Sequence, residues 1–352
     1  MKIITDEDKI KEFLDSRYIE AVFPSKEKAA EIMGSGKQLI FYLGIDPTGP
    51  DIHLGHSTNL FILKKLWELG HKIILLIGDF TATVGDPTDK EAARRPLIDK
   101  EIEENMKTYL DQIHKILPKG SFETKHNSKW YKRMSVEEWL RITSLFTQQQ
   151  MVSRDMFQER IKKDKPISLQ EFVYPVLQGY DSVAIDVDGE IGGNDQTFNM
   201  LVGRDLLRKL KGKEKIVITT KLLEDPATGK KIMNKSEGQY ISLNDPALEI
   251  FGKTMAMPDS AIMPLLVFAT ELPDSEVDEA KRRLDSGENP MILKKELAYE
   301  LVRMYHGGKE AEKAKEEFEK VFSQGQLPEK IEEFRIGSNP TKLTELLKES
   351  GL

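Results

Sequence analysis

The chain has 352 residues, a mean hydropathy of −0.45, 39% hydrophobic and 32% charged side chains, and a formal net charge of −7. That is enough chain for two domains with a sizeable core, while the acidic balance excludes a generic nucleic-acid coat, which needs broad positive potential, but not a local basic face. The lack of cysteine excludes disulfides and thiolate metal sites, and no apolar run approaches bilayer length and no signal peptide opens the chain, so a cytoplasmic protein without membrane contact is expected.

Residues 1–37 read as an N-terminal helical arm with a break at 20–25, where Ser25 suits an N-cap. Residues 39–43 form an apolar run that reads as a buried strand. A turn-rich loop follows, from Gly44 to His56, and then Leu60, Phe61, Leu63, Leu66, Trp67 and Leu69 recur at helical spacing. A helix N-terminus after a strand offers backbone N–H groups and a positive dipole end, suited to phosphates. His53 and His56, three apart at its head, can face one ligand and donate to phosphate oxygens. Gly55 between them leaves room for a flat base or sugar. The competing readings are a metal pair and two surface histidines; no cysteine and no third histidine lies near to complete a metal site.

Residues 72–79 read as a second strand, which makes a right-handed βαβ unit and a parallel sheet. Ligands bind such sheets at the carboxyl ends of the strands, where both the His53–His56 loop and the segment 78–86 fall. Asp86 is a carboxylate at that edge; Lys90, Arg94 and Arg95 are either a charged loop or contacts to a triphosphate. Residues 97–117 carry one apolar stripe, read as a core helix, and 125–130 end a short strand. Ser135 with Glu138, and Ser168 with Glu171, form capping boxes. Tyr174, Gln178 and Asp181 then share one helix face, poor as core and good for reading a ligand. Residues 183–185 read as a short strand, 191–196 as a strand-to-helix turn, 215–220 as a buried strand, and 225–238 as a Gly- and Lys-rich loop. Arg204, Arg208, Lys209, Lys211, Lys213 and Lys215 cluster, as a local basic face or as a solvated helix face. After Asp245 strand signals vanish and 246–256, 273–284, 291–305 and 309–322 read as helices.

Three ordered motifs identify a resemblance. Gly44-Ile45-Asp46-Pro47-Thr48 leading to His53-Leu54-Gly55-His56 resembles the His-Ile-Gly-His signature of class I aminoacyl-tRNA synthetases in its tyrosyl form. Tyr174-Pro175-Val176-Leu177-Gln178-Gly179-Tyr180-Asp181 followed by Gly192-Gly193-Asn194-Asp195-Gln196 is specific to the bacterial-type tyrosyl-tRNA synthetases. Ile232-Met233-Asn234-Lys235-Ser236 stands in place of the family's Lys-Met-Ser-Lys-Ser loop, with Lys231 one place out of register. The resemblance runs from about Phe23 to Ser242 and more loosely beyond.

It implies an α/β fold: a Rossmann-like parallel-sheet catalytic domain over 38–242, with a mostly helical insertion at about 100–200 carrying a homodimer contact, and the loop at 229–238. An all-helical domain at 243–335 follows. Residues 336–352 resemble the start of a C-terminal RNA-binding domain, so a truncated chain is expected. The implied reaction is activation of L-tyrosine by ATP, with Mg²⁺ carried on the nucleotide, then transfer to tRNA-Tyr. By resemblance, Asp181 and Tyr42 bind the phenol; Tyr174, Gln178 and Asp86 hold the ammonium group; Gln196 lies near the carboxylate. Asp46 and Asp195 lie near the ribose, with Gly44, Gly55, Gly193 and Met233 around the adenylate. Thr48, His53 and His56 stabilise the α-phosphate, Lys90 and Arg94 contact the pyrophosphate, and Lys235 and Ser236 close over it. No protein ligand set for a metal is implied. The alternatives are a tryptophanyl relative or another nucleotidyl transferase, and a non-catalytic RNA-binding paralogue.

Overall fold

The computed structural model describes residues 2–87, 97–233 and 238–323. Its centre is a six-stranded sheet of β1 (Ile19–Phe23), β2 (Ile40–Ile45), β3 (Lys72–Ile77), β4 (Phe122–His126), β5 (Gly189–Gly193) and β6 (Ile216–Thr220), in the order β1-β6-β5-β2-β3-β4. Every neighbouring pair is parallel except β1 with β6. Period-two alternation splits the strands between two cores. Phe41, Leu43, Ile73, Leu75 and Ile77 join the larger one, which includes the helix Leu54–Glu68 and the C-terminal helices. Tyr42, Ile74 and Leu76 face the helices Leu169–Ile185 and Thr197–Lys211 on the other side. A sheet covered on both faces needs strands that are apolar throughout, which is why 73–77 shows no polar alternation.

Strands β2, β3 and β4 step one way across the sheet and β5 and β6 the other. The reversal between β2 and β5 opens a crevice at their carboxyl ends, the usual ligand position in such sheets. Gly44 and Asp46 end one wall; Gly193, Asp195 and Gln196 end the other.

Four expectations are corrected. The sheet is mixed rather than wholly parallel, because residues 19–23 are a strand and not a break: Ile19 and Val22 are buried, and β1 pairs along β6 from Ile19↔Thr220 to Phe23↔Val217. Residues 97–117 form two helices, Asp99–Met106 and Tyr109–Ile113, not one. Residues 183–185 are the last turn of the helix Leu169–Ile185, which stops where Asp186 adopts φ 61°; a short β-branched run was decided by the helix it continues. A further helix, Ile262–Ala269, is so uniformly apolar that it offers no periodicity to read. Ser25 caps as expected, accepting from the Lys28 amide at 3.2 Å; Ser135 accepts from the Glu138 amide at 3.1 Å, but the expected box is only half formed, since Glu138 accepts from the Tyr180 hydroxyl at 3.0 Å instead. After β6, the described residues contain helices and no further named strand.

The basic cluster is not an open cationic face. Arg204 pairs with Glu214 at 2.6 Å, Lys213 with Asp188 at 3.1 Å and Lys211 with Asp186 at 3.3 Å, while Lys215 is wholly buried.

Candidate functional site

The loop between β2 and the helix Leu54–Glu68 is held by its carbonyls. Asn105 donates to Pro47 O at 2.9 Å, the Tyr109 hydroxyl to Gly49 O, and Gln112 to Pro50 O at 2.9 Å, while Gln112 Oε1 accepts from the Ile52 amide at 2.7 Å. These three side chains lie at near-helical spacing on the two helices 99–113, inside the stretch whose apolar stripe hid them. Thr48 lies within the loop they hold, its amide donating to Asp46 O at 2.8 Å.

His53 is that helix's N-cap: its Nδ1 accepts from the Gly55 amide at 3.1 Å, and His56 Nδ1 lies 3.2 Å from the His53 amide. A backbone N–H only donates, so the His53 contact puts its proton on Nε2; His56 Nδ1 lies between the His53 amide and, at 3.3 Å, the His53 carbonyl, where its role depends on the tautomer. The two rings lie 4.0 Å apart, centroid to centroid. Two imidazoles thus stand at a positive helix end, an arrangement suited to an anion. Gly55 serves this cap directly, since a Cβ there would sit 3.0 Å from the His53 ring. Close approach of the ring, rather than space for a base alone, explains the glycine.

The crevice continues into a buried polar network. Tyr174 donates to Asp46 Oδ2 at 2.9 Å and Thr81 to Asp46 Oδ1 at 2.7 Å. Asn127 donates to Thr81 at 3.0 Å and to Asp181 at 3.3 Å, and Trp130 Nε1 donates to Asp181 at 2.9 Å. Asp181 is 3% exposed. Burial pushes its carboxyl up to about 8, against the opposing hydrogen bonds from Tyr131, Asn127 and Trp130. Near neutrality that group can donate to or accept from a phenol. Tyr42 is fully buried beside it, its hydroxyl 2.9 Å from Ser182 Oγ rather than on Asp181 itself. Its phenol is pushed well above the ordinary range by burial and by the neighbouring Glu190 and Asp181.

On the β5 side, Gln196 donates to Asp86 at 2.8 Å, Asn199 donates to Gln196 at 2.9 Å and to Gln178 at 3.0 Å, and Gln178 donates to Glu190 at 3.1 Å. The structure therefore brings these residues into two hydrogen-bonded networks: Asp46, Tyr174 and Asp181 in one, and Tyr42, Asp86, Gln178 and Gln196 in the other, the latter joined through Ser182, Glu190 and Asn199. Sequence reasoning missed Thr81, Asn127, Trp130, Ser182, Glu190, Asn199 and Lys215. Thr81, Asn127 and Trp130 lie just past the carboxyl ends of β3 and β4, a position that marks them for the crevice.

The segment after residue 238 is fastened to the histidine loop. The Leu54 amide donates to Ile241 O at 3.1 Å and the Leu243 amide to Ile52 O at 2.8 Å. Lys231 pairs with Asp195 at 3.0 Å. Ile232, standing at the signature's lysine place, is a buried core residue whose amide donates to Leu223 O at 2.8 Å. Among the described residues of this stretch, Lys231, one position early, is the lysine that pairs with Asp195. Met233 is buried, its Cβ 3.6 Å from where a Gly55 Cβ would lie. Lys90, Arg94, Lys235 and Ser236 lie outside the described residues. A cavity of about 300 Å³ lined by Gln38, His71, Ser121 and Phe122 sits at the opposite, amino-terminal edge of the strands, away from all these groups.

Asp181 also gives a stability signature. Its folded value lies above its unfolded one, so the folded state holds a proton that the unfolded state has lost between about pH 4 and 8. Its contribution is complete below that window and is lost as pH rises through it. Asp181→Asn should gain stability relative to the parent as pH rises from 5 to 9, read as urea midpoints at the two pH values; a constant difference would contradict the assignment.

A family model described as tRNA synthetases class I (W and Y) matches residues 35–323. A tyrosine–tRNA ligase of Carboxydothermus hydrogenoformans is 41% identical over 311 residues, covering 88% of this chain and 75% of that protein. One from Thermotoga maritima is 39% identical over 349 residues, covering 99% and 86%. Among solved structures, a C-terminally truncated mitochondrial tyrosyl-tRNA synthetase of Aspergillus nidulans superposes with a TM-score of 0.71 at 23% identity, covering 89% of this chain and 94% of that one. An Archaeoglobus fulgidus tyrosyl-tRNA synthetase complexed with L-tyrosine gives 0.68 at 20%, covering 88% and 100%; at such identities the likeness is one of fold.

Proposed function

The chain belongs to the class I tRNA synthetases of the tryptophan and tyrosine type, and on that premise we propose that it is the tyrosine form, joining L-tyrosine to ATP as tyrosyl-adenylate with release of pyrophosphate, then passing tyrosine to tRNA-Tyr. The observation that carries the amino-acid assignment is Asp181: a buried carboxyl held by Trp130 and Asn127 in the same network as Asp46 and Tyr174. A phenol satisfies it; a phenylalanine ring leaves a buried polar group unpaired, and tyrosyl-tRNA synthetases are the standard illustration of that rule.

The chemistry asks for no protein nucleophile, because the tyrosine carboxylate itself attacks the α-phosphate and pyrophosphate leaves. What remains for the protein is positioning and charge stabilisation. Tyr174, Gln178 and Asp86 receive the ammonium group and Gln196 orients the carboxylate. Asp46 and Asp195 flank the ribose, and the bare backbones of Gly44 and Gly193 admit the adenylate between them. Thr48, His53 and His56 meet the charge that grows on the α-phosphate. Lys90, Arg94, Lys235 and Ser236 serve the pyrophosphate side, with Lys231 added through Asp195. Mg²⁺ enters on the ATP phosphates and neutralises part of their charge.

We read residues 38–242 as the Rossmann-like catalytic domain, followed by a helical domain that the described residues show as far as 323. A homodimer through the insertion is supported by apolar side chains left open there: Leu169 is 82% exposed, Val136 75%, Leu140 61% and Ile161 50%. No helix among the described residues is long and apolar enough to cross a membrane, and a cytoplasmic site of action fits a tRNA substrate.

Tyrosine-dependent exchange of labelled pyrophosphate into ATP tests the reading, with phenylalanine and tryptophan as controls. Exchange with tyrosine alone is expected. Exchange with tryptophan would move the chain to the other branch, and no exchange in folded protein would overturn the enzyme reading.

A further inference from the structure

Lys215 precedes β6 and is wholly buried; its ammonium donates to Glu190 and, at 2.9 Å, to Ser182 Oγ. Glu190 is 1% exposed. The helices above are shaped around this pair: a Cβ on Gly203 would lie 2.6 Å from Lys215 Nζ and 2.8 Å from Ser182 Oγ. Burying an ion pair is a poor route to stability, since apolar replacements of similar volume are often neutral or better. The pair therefore calls for another explanation.

We propose that Lys215 is a positioning residue for the amino-acid substrate: through Glu190 it fixes the orientation of the Gln178 and Gln196 amides, a role that rests on the tyrosine-site reading above.

An ammonium only donates, so Glu190 beside it is held as a carboxylate, which only accepts. Gln178 must then turn its NH₂ to Glu190 Oε1 and its carbonyl to Asn199. The Asn199 NH₂ donates to the carbonyls of both Gln178 and Gln196. Gln196 is left with its NH₂ toward Asp86, a second group that only accepts when ionised. The charged ends dictate every amide between them. The outcome suits the substrate: the Gln178 carbonyl keeps a lone pair for an ammonium group, and the Gln196 NH₂ keeps a hydrogen for a carboxylate.

Without Lys215, Glu190 would sit buried without its cation, which favours its neutral form. A carboxylic acid offers both a donor and an acceptor, so Gln178 would lose its single orientation. The other groups facing the pair are Tyr42 on β2, Asp181 on the helix Leu169–Ile185 and Arg204 on the helix Thr197–Lys211; Arg204 is already paired with Glu214. Asp181 titrates in the parent as well, so the parent's own pH profile is the reference.

The test is tyrosine and ATP KM by pyrophosphate exchange between about pH 6 and about pH 9, for the parent, Lys215→Met, Lys215→Met/Glu190→Gln and Gln178→Ala. Lys215→Met should raise the tyrosine KM about tenfold at the acid end, with the ATP KM within about twofold, and the defect should shrink as Glu190 reionises. The double variant should lose that added pH dependence. A parental tyrosine KM in Lys215→Met, or a rise equal at every pH and shared by ATP, would overturn the proposal. If Lys215→Met does not fold, the double variant, free of both buried charges, carries the test: a raised, pH-flat tyrosine KM supports the role and a parental one sinks it. Gln178→Ala is read separately, since an unchanged tyrosine KM there would remove the tyrosine-site reading itself.

Discussion

Gly78→Ala should lower tyrosine-dependent pyrophosphate exchange by about 100-fold or more, although it adds one methyl group away from any substrate atom. A Cβ at this position would lie 1.9 Å from Asp46 Oδ1 and 2.4 Å from Thr81 Oγ1. The backbone cannot retreat: the Gly78 amide donates to Ile45 O and its carbonyl accepts from Ala82, both at 2.9 Å. Asp46 has to swing away, which releases Tyr174 and Thr81 together. A shift of about 1 Å in a positioning group is enough for a loss of that size. Because both changes act on the same carboxylate, Gly78→Ala and Asp46→Ala should be strongly non-additive. A double variant much slower than either single would show that Gly78 acts by another route.

His53→Ala should lower kcat for exchange by about 10²–10³, the usual cost of removing one preorganised donor from a developing oxyanion. The same change deletes an N-cap, worth about 0.5–2 kcal/mol, so the melting temperature should also fall by a few degrees. His53→Asn separates the two effects. Asparagine caps well, so the melting temperature should return while the rate does not. A rate that recovers with the cap would reduce His53 to a structural residue.

Most of the frame can be read before any coordinates. The apolar runs ahead of Gly44 and Gly78, and the one ending at Thr220, are short, continuous and bounded by glycine, charge or turn residues, which suits strands buried on both faces. The histidine loop between the first of these runs and its helix places the ligand edge. What escaped notice had local disguises. β1 is five residues ending at a proline, and its partner lies in the last strand, beyond the reach of any window. Lys215 reads as one more charge in a basic cluster because sequence shows charge but not depth. Asn105 and Gln112 share two helices with an apolar stripe that explains the periodicity without them, and Tyr109 counts in that stripe as core while its hydroxyl holds Gly49 O. Glu190 looks like a surface carboxylate until Gly203 is seen to make way for its lysine. Ile232 reads as a lost lysine, whereas the fold uses it as core and brings Lys231 to Asp195 instead.

The antiparallel β1 bears on the order in which the chain is made. Ile216 to Thr220 is a fully buried, uncharged, β-branched segment, the composition that recruits other chains when its edge is bare. Its partner from the N-terminus leaves the ribosome first: Ala21, which bonds Thr219 Oγ1, precedes it by 198 residues, roughly 10–40 s of synthesis at common rates. When the last strand emerges, its edge partner is already outside. Arg17 and Tyr18, just before β1, then wait for Val267 O and Thr270 O in the helical region, so an early-made segment fastens one made some 250 residues later.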